Sequence, residues 1–245
     1  MGEQRQPDRS PLVREEISIQ RDRYARIADQ YEQVHNDPEH VVALSYLRGM
    51  LGYVNAESLL DVGAGTGRTI RHLRRECPDL RILGVEPVGQ LRAVGHRHGL
   101  PTEILIDGDG YNLQFPDRAF DVVCEFGMLH HVREPNRVVA EMLRVARKAV
   151  FVSDSNNFGG GSPLARLAKQ CLHQLGLWPA VNYVKTRGKG YSITEGDGLF
   201  YSYSVFDSMD LLRRHCRIIH VLNTTPARAN LYRTANHLAV FAIKQ

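Results

Sequence analysis

The chain has 245 residues, of which 43% are hydrophobic and 24% are charged, a composition typical of a globular protein with a full buried core. The net charge of +4 is mild and spread along the chain, which disfavours a nucleic-acid partner. No stretch reaches the roughly 18 consecutive apolar residues of a membrane span, and the polar start has no apolar segment typical of a secretion signal, so we expect a cytoplasmic protein.

The four cysteines are far apart, and no two of them have CxxC spacing. Neither a zinc site nor a disulfide framework is therefore predicted, and we predict no metal site from this sequence. The cysteines are Cys77, Cys124, Cys171 and Cys216.

Two helices are predicted before the first strand. Residues 1–12 are polar and predict a flexible tail. From Glu16 to Val34 the apolar residues recur every three or four positions, which predicts an amphipathic helix. Asp37-Pro38 interrupts the pattern, and a second stripe over 41–54 predicts another helix.

Strands and helices then alternate, which predicts a doubly wound, mostly parallel sheet with helices on both faces. The predicted strands are 58–62, 81–85, 102–106, 119–124 and 149–152. The predicted helices between them are 69–76, 88–98 and 138–145, the last with Pro135 in its first turn.

The pattern changes after the fifth strand. Residues 154–204, rich in glycine and tyrosine, are interpreted as a substrate-side insertion or lid within a single domain over 13–245. The alternating segments 217–222 and 237–243 predict a closing antiparallel pair, which gives a seven-stranded sheet with an antiparallel last strand.

Glycines mark the first strand-to-helix turn, in the stretch LLDVGAGTGR. In an open parallel sheet this turn approaches the ligand most closely, and Gly63 and Gly65 keep it free of side chains. A tight turn without any ligand has the same appearance. A P-loop is excluded because no GK[ST] follows, and a dinucleotide site is disfavoured because Arg68 replaces the glycine that GxGxxG requires.

Acidic residues follow successive strands and narrow the choice of ligand. Glu86 ends the second strand, where it can accept hydrogen bonds from the two ribose hydroxyls, and Asp109 follows the third. Asp61 adds negative charge beside the glycine turn. Carboxylates repel phosphate and attract cations, so the sequence predicts a positively charged adenosine derivative.

These motifs resemble the class I S-adenosylmethionine-dependent methyltransferases, especially the small-molecule branch similar to the ubiquinone and menaquinone biosynthesis methyltransferases. The resemblance runs from about Tyr24 to Val152 and is carried by RIADQYEQV, LLDVGAGTGR, GVEP, GDGYNLQFPDRAFDVV and LHHV, in that order. It implies a Rossmann-like fold with S-adenosylmethionine as cofactor. The cofactor-binding residues that it implies are Tyr24, Tyr31, Asp61, Gly63, Ala64, Gly65, Glu86, Pro87, Asp109, Gly110, Glu125 and Phe126.

The acceptor site is encoded less firmly. His130 and His131 are candidate bases, although one could cap a helix and the other pack in the core, and Asp154 is a candidate with turn formation as its alternative. Tyr24 and Tyr31 could equally be core residues of the first helix. The cluster Lys185, Arg187 and Lys189 is either a solvated loop or a contact for an anionic acceptor.

We therefore expect methyl transfer to a small-molecule acceptor, most readily O-methylation of a glycan, a lipid-linked compound or another secondary metabolite. An RNA or protein methyltransferase and a non-catalytic S-adenosylmethionine-binding partner subunit are the alternatives. The sequence leaves open whether the protein is a monomer or a homodimer.

Overall fold

The computed structural model describes residues 11–34, 38–225 and 230–245. Its strands are β1 (Ser58–Val62), β2 (Arg81–Val85), β3 (Leu105–Ile106), β4 (Phe120–Phe126), β5 (Ala146–Ser155), β6 (Tyr191–Thr194), β7 (Gly198–Tyr201), β8 (Cys216–Asn223) and β9 (His237–Lys244). Seven of them form one sheet in the order β3-β2-β1-β4-β5-β9-β8, and β6 and β7 form a separate hairpin. Within the large sheet β9 is antiparallel to both neighbours, and the other pairs are parallel. The predicted fold class is confirmed.

The helices are α1 (Pro11–Ile27), α2 (Tyr31–Val34), α3 (Pro38–Tyr53), α4 (Arg68–Glu76), α5 (Gly89–Arg97), α6 (Pro135–Val145), α7 (Pro163–Gln174), α8 (Trp178–Lys185) and α9 (Met209–His215). A 3-10 turn at Ala28–Gln30 divides the first predicted helix into α1 and α2. Of the predicted tail, residues 1–10 lie outside the described residues, and Pro11 and Leu12 belong to α1.

Both faces of the large sheet are buried, which is why its central strands are continuous apolar runs. On one face Val123 of β4 packs in a cluster with Met142 of α6. On the other face Val122 packs in a cluster with Leu47 of α3 and Ile70 of α4. The two faces of one strand therefore supply two separate cores, and the edge where the parallel strands end is left for a ligand.

Two strands, β3 and β5, differ most from their predicted bounds. β3 is only two residues long because Pro101 and the residues after it form a turn, in which the amides of Ile104 and Leu105 bond to the Pro101 carbonyl. β5 is longer than predicted and reaches Ser155, because Asp154 pairs with Leu238 of β9. Asp154 thus lies on a strand and not in the insertion or in a turn.

The segment between β5 and α9 carries α7, α8 and the β6–β7 hairpin. The hairpin contacts α1, where the amide of Leu199 donates to the Gln20 side chain (2.7 Å) and the Arg23 guanidinium donates to the carbonyl of Gly196 (2.8 Å). These contacts place the hairpin and α1 together at the carboxyl edge of the sheet.

Candidate active site

The glycine turn after β1 folds back on β2. The amides of Gly63 and Ala64 both donate to the Val85 carbonyl, at 2.9 and 3.0 Å. Gly63 has a φ of +73°, which residues with a side chain rarely adopt. A Cβ at Gly63 would also lie only 2.7 Å from the Met128 Cγ, so both the backbone and the space require glycine there.

Glu86 lies beside this turn as predicted. Its side chain is buried, and its two oxygens accept from the amides of Gly65 (2.9 Å) and Val88 (2.8 Å). Burial raises the pKa of Glu86 to about 7, although the two amides favour the charged form. A carboxylate offers about four lone-pair positions, so two remain for hydroxyl donors of a ligand.

A small cavity of about 120 Å³, the cofactor cleft, opens at this point. It brings together eight of the twelve predicted cofactor residues: Tyr24, Tyr31, Gly63, Glu86, Pro87, Asp109, Gly110 and Phe126. Ala64 and Gly65 form the turn next to the cleft without lining it. Ligand pockets for small molecules usually exceed about 300 Å³, so the cleft holds only part of a nucleoside until a neighbouring element moves.

Two predicted cofactor residues lie behind the cleft. Asp61 is 2% exposed and accepts from the Cys124 thiol (3.6 Å); burial, together with the charge of Glu86, raises the pKa of Asp61 to about 7. Glu125 is fully buried and accepts from the amides of Met128 and Ser153, both at 3.0 Å. Burial raises the pKa of Glu125 well above its usual range. Of these two adjacent predicted residues, Phe126 lines the cleft, whereas Glu125 links the ends of β4 and β5 through its hydrogen bonds.

Tyr24 and Tyr31 cover the glycine turn, so they are not simply core residues of the first helices. Their rings meet edge to face at 5.7 Å. A Cβ at Gly65 would lie 3.3 Å from the Tyr31 ring. Tyr24 extends further and donates its hydroxyl to His131.

Asp109 is engaged by α1 in a way that the sequence did not predict. Its Oδ2 pairs with the Arg21 guanidinium at 3.2 Å, and its Oδ1 accepts from the Tyr111 amide at 2.9 Å. Arg21 also lines the cleft. The helical spacing of three residues between Arg21 and Tyr24 was the available signal, because it places both side chains on one face of α1. Movement of α1 away from the cleft would enlarge the cleft and would also break the ion pair between Arg21 and Asp109.

His130 and Asp154 form a close pair at the ends of β4 and β5. The His130 Nδ1 donates to Asp154 Oδ1 at 2.7 Å, and Asp154 Oδ2 accepts from the backbone amides of Leu129 (2.8 Å) and His130. Burial opposes the charge on His130, but Asp154 and Asp197 outweigh it and raise the pKa of His130 to about 10. Burial likewise opposes the charge on Asp154, and His130 lowers the pKa of that carboxyl.

His131 has a different environment from that of His130. Its Nδ1 lies 2.7 Å from the Leu199 carbonyl, which can only accept, so Nδ1 carries the proton. Its Nε2 therefore accepts from the Tyr24 hydroxyl at 2.8 Å. Burial, with the charge of His130, lowers the pKa of His131 to about 3. His131 thus connects α1 with the β6–β7 hairpin as a neutral ring, and its role as a base stays a prediction.

Asp197 of the hairpin approaches both histidines, with Oδ1 at 3.4 Å from the His130 Nε2 and 3.6 Å from the His131 Nε2. Three groups with the capacity to ligate a metal ion thus come together, although no metal site was predicted. The hydrogen bonds to Asp154, Leu199 and Tyr24 already account for the orientation of both rings.

A larger cavity of about 720 Å³ adjoins the cofactor cleft. His130, Asp197 and Phe200 are among its lining residues. The residues that line both spaces are Tyr24, Tyr31, Phe126, Gly127 and His131. Two ligands bound in these spaces would therefore be neighbours and would contact the same five residues.

Carboxylates beside a bare backbone turn disfavour a phosphate and suit a cationic nucleoside, as the sequence indicated. The chain contains a class I S-adenosylmethionine-dependent methyltransferase domain, and S-adenosylmethionine is its cofactor. A family model described as "Methyltransferase domain" matches residues 60–152, which hold the turn, Glu86, Asp109 and His130.

Curated relatives share this region. The demethylmenaquinone methyltransferase of Thermotoga maritima is 32% identical over 95 residues, which make up 39% of this chain and 41% of that enzyme. The phosphatidylethanolamine N-methyltransferase of Cereibacter sphaeroides is 32% identical over 147 residues, which make up 52% of this chain and 66% of that enzyme. The matched part of this chain thus spans less than half of the Thermotoga relative.

The fold extends beyond the matched region. The 1,6-didemethyltoxoflavin-N1-methyltransferase of Burkholderia thailandensis, solved with 1,6-didemethyltoxoflavin and S-adenosylhomocysteine bound, superimposes with a TM-score of 0.61 at 18% identity. The superposition covers 98% of this chain and 94% of that chain. Among the described residues no helix combines the length and the apolar character needed to cross a membrane.

Proposed function

We propose that this chain transfers the methyl group of S-adenosylmethionine to a hydroxyl of a small molecule held in the larger cavity. The observation that carries the proposal is the His130–Asp154 pair: His130 lines the larger cavity next to His131, which lines both spaces, and the buried Asp154 orients the His130 ring. An oxygen nucleophile has to lose its proton, and a histidine oriented by a buried carboxylate is suited to accept it.

The cleft residues fit the cofactor. The free lone pairs of Glu86 suit the ribose hydroxyls, and Asp109 with the Gly110 backbone suits the adenine. Tyr31 and Phe126 supply aromatic walls on the side of the larger cavity, where a sulfonium is favoured by ring faces. When bound, S-adenosylmethionine supplies a methyl group that is already strongly electrophilic.

The protein's own groups then position and deprotonate the acceptor. Asp154 accepts the Nδ1 proton of His130, which leaves Nε2 as the nitrogen that takes the hydroxyl proton. Asp197 lies beside Nε2 and stabilises the protonated ring. An acceptor hydroxyl that displaces Asp197 from Nε2 would remove the weaker of the two carboxylate charge effects that raise the pKa of His130, and would so lower this pKa toward the range in which the neutral ring acts as a base. Positioning by the cavity walls supplies a further part of the rate enhancement.

The segment after β5 is proposed as the acceptor side of the site, in agreement with its interpretation as a lid. Phe200, Tyr201 and Tyr203 line the larger cavity, and Lys169 and Lys185 line it from α7 and α8. Aromatic walls with a few polar groups suit a ring-bearing acceptor, such as a glycan, a lipid-linked compound or another secondary metabolite.

N-methylation is the second candidate, since the printed names of relatives include the phosphatidylethanolamine and ajmaline N-methyltransferases. An amine acceptor with a protonated nitrogen would also need a base, so the same pair would serve. The carbon chemical shift of the transferred methyl group, recorded by NMR with ¹³C-labelled S-adenosylmethionine, distinguishes the two products, because a methyl group bonded to oxygen and one bonded to nitrogen resonate in separate ranges.

The test uses radiolabelled S-adenosylmethionine and whole extracts of cells that lack the protein, which are separated after the reaction into small-molecule, RNA and protein fractions. We expect the wild-type protein to label a small molecule whose mass exceeds that of the unreacted acceptor by one methylene group. The Asp154→Asn variant should label the same compound far more slowly. Exposed Asp210→Asn, on α9 and remote from the cavities, is the matched control. Label in RNA or protein instead of a small molecule, or equal rates in all three proteins, would contradict the proposal.

A further inference from the structure

The segment between β5 and the hairpin turn carries a net positive charge because it lacks acidic residues. Residues 155–194 contain no Asp or Glu, whereas about one residue in nine of the whole chain is acidic. The cations of this segment are Arg166, Lys169, Lys185, Arg187 and Lys189. Among the described side chains, no ion pair involves a residue of the segment. Its positive charge is therefore not neutralised within the described fold.

Helix α7 turns its polar side inward. Gln170 is buried and donates to the carbonyl of Phe158 (3.2 Å), and the Lys169 ammonium donates to the carbonyl of Gly160 (2.9 Å). The opposite side carries Leu164 and Leu175, which are 77% and 70% exposed. A helix on a globular core normally buries its leucines, so this inversion indicates that the apolar side faces something other than water.

Helix α8, which packs against α7, also exposes apolar side chains. Val184 is 77% exposed, and Lys185 next to it is exposed as well. Of the eleven large hydrophobic side chains that are exposed in the described residues, six lie between positions 164 and 184. We call these six the docking face; they are Leu164, Leu167, Leu175, Leu177, Tyr183 and Val184.

We propose that the docking face binds an anionic membrane surface, with the apolar side chains among the acyl chains and the neighbouring cations at the headgroups. Exposed leucines flanked by lysine and arginine without acids are the signature of helices that lie in a membrane interface. The absence of acidic residues over 155–194 supplies the charge complementarity to anionic lipid headgroups.

Other occupants fit this surface less well. A two-fold pairing of two copies through the same face would place like charges against each other, because a two-fold interface presents one patch to itself. A nucleic acid would meet the cations but would leave the exposed leucines without a contact. The combination of charge and apolar surface therefore selects a lipid surface.

The docking face lies on the helices that also wall the larger cavity, since Ala165 and Lys169 of α7 and Lys185 of α8 line it. Docking would place α7 and α8 between this cavity and the bilayer, so that the cavity lies about one helix diameter from the lipid surface. The membrane inference itself rests on the exposed surface and not on the proposed methyl transfer. S-adenosylhomocysteine binding, measured without vesicles, reports on the proposed function separately.

The experiment is co-sedimentation of the full chain with extruded vesicles of phosphatidylcholine alone, or of phosphatidylcholine mixed with phosphatidylglycerol. We expect binding to the mixed vesicles that weakens with added salt, and little binding to neutral ones. The double variant Leu164→Ser/Leu167→Ser should bind the mixed vesicles at least about tenfold more weakly, because two leucines lose their burial in the interface. The variant Lys185→Glu/Lys189→Glu changes exposed side chains only and should lose binding as well.

The matched control is Val41→Ser/Tyr53→Ser, which removes two comparably exposed apolar side chains from α3 (60% and 63% exposed) and should bind as the wild type does. Circular dichroism melts establish that each variant is folded. Failure of the wild type to bind mixed vesicles, or equal binding by all variants, overturns the inference. A wild-type dimer in light scattering that the leucine variant dissociates, without vesicle binding, would overturn it in favour of a second copy of the chain.

Discussion

The Nδ1 of His130 lies 2.7 Å from the Oδ1 of Asp154, and the two residues reach each other from the ends of adjacent parallel strands. Asp154 is completely buried and belongs to β5, so its carboxylate is fixed by the sheet. His130 follows β4 in a 3-10 turn and carries its ring to the larger cavity. The relationship assigns the base of the proposed reaction to His130 and the orienting role to Asp154.

Replacement of either partner should slow methyl transfer while leaving cofactor binding intact. We expect His130→Ala to lower kcat by about a hundredfold to ten-thousandfold, the usual contribution of a positioned base. Asp154→Asn should have a comparable effect, since the ring would lose the acceptor that fixes its tautomer. Turnover is measured with the acceptor identified by labelling, and S-adenosylhomocysteine affinity by calorimetry. His215→Ala, at the exposed end of α9, is the control; unchanged turnover in His130→Ala would remove His130 as the base.

The same pair should make stability depend on pH. The pKa of His130 is raised from its ordinary value of about 6.5 to about 10, so the folded state holds this proton more tightly than the unfolded chain does. Its contribution is therefore fully present below about pH 6.5 and is lost as the pH rises to about 10. Urea unfolding of the wild type and His130→Ala should show a difference in unfolding free energy that shrinks across this range. A difference in unfolding free energy that grows with pH would contradict the prediction, because it would mean that the folded state holds the His130 proton less tightly than the unfolded chain does.

The Arg21–Asp109 ion pair should slow cofactor entry. Its side chains are 41% and 29% exposed, so we expect the pair to contribute no more than about 1 kcal/mol. Arg21→Ala should therefore raise the association rate of S-adenosylhomocysteine by up to about fivefold. Asp109→Ala should instead weaken equilibrium binding, because the adenine loses an acceptor. Stopped-flow fluorescence measures both, with exposed Arg26→Ala on the same helix as the control; a slower rate in Arg21→Ala would show that the pair does not obstruct the cleft.

Gly63 and Gly49 should respond in opposite directions to substitution by alanine. Gly63→Ala meets both a φ of +73° and the Met128 Cγ at 2.7 Å, so we expect a loss of about 1–3 kcal/mol in unfolding free energy. Gly49 lies in α3 with open space around its Cβ position, and Gly49→Ala should gain up to about 1 kcal/mol. Urea denaturation gives both values. Met128→Ala combined with Gly63→Ala should recover only part of the loss, because the backbone strain remains.

Local sequence patterns were sufficient to predict the bounds of two strands of the large sheet. β1 and β2 have the predicted bounds of 58–62 and 81–85 because each is a short run bounded by turn residues and packed in the sheet. Glu86 and Asp109 follow from the same reasoning, since the ends of parallel strands meet at one edge. The sequence could thus locate the cofactor cleft.

Long-range contacts decided what the sequence could not show. The sequence predicts Asp154 at the start of the insertion, whereas in the structure it belongs to β5. Only its pairing with Leu238, far along the chain, extends the strand to include it. The difference between His130 and His131 depends on which carbonyl or carboxylate approaches each ring, and adjacent identical residues carry no signal for that. Arg21 likewise engages Asp109 only because α1 folds over the cleft.

The central claim is that Glu86, at the end of β2 beside the bare turn, binds the cofactor. Isothermal titration of S-adenosylmethionine into the wild type, Glu86→Ala and exposed Glu103→Ala tests it most directly. We predict that the wild type and Glu103→Ala bind alike and that Glu86→Ala binds more weakly by about 1–3 kcal/mol, the cost of an unmet buried hydrogen bond. Equal affinity in all three proteins, or no binding by the wild type, would contradict the account.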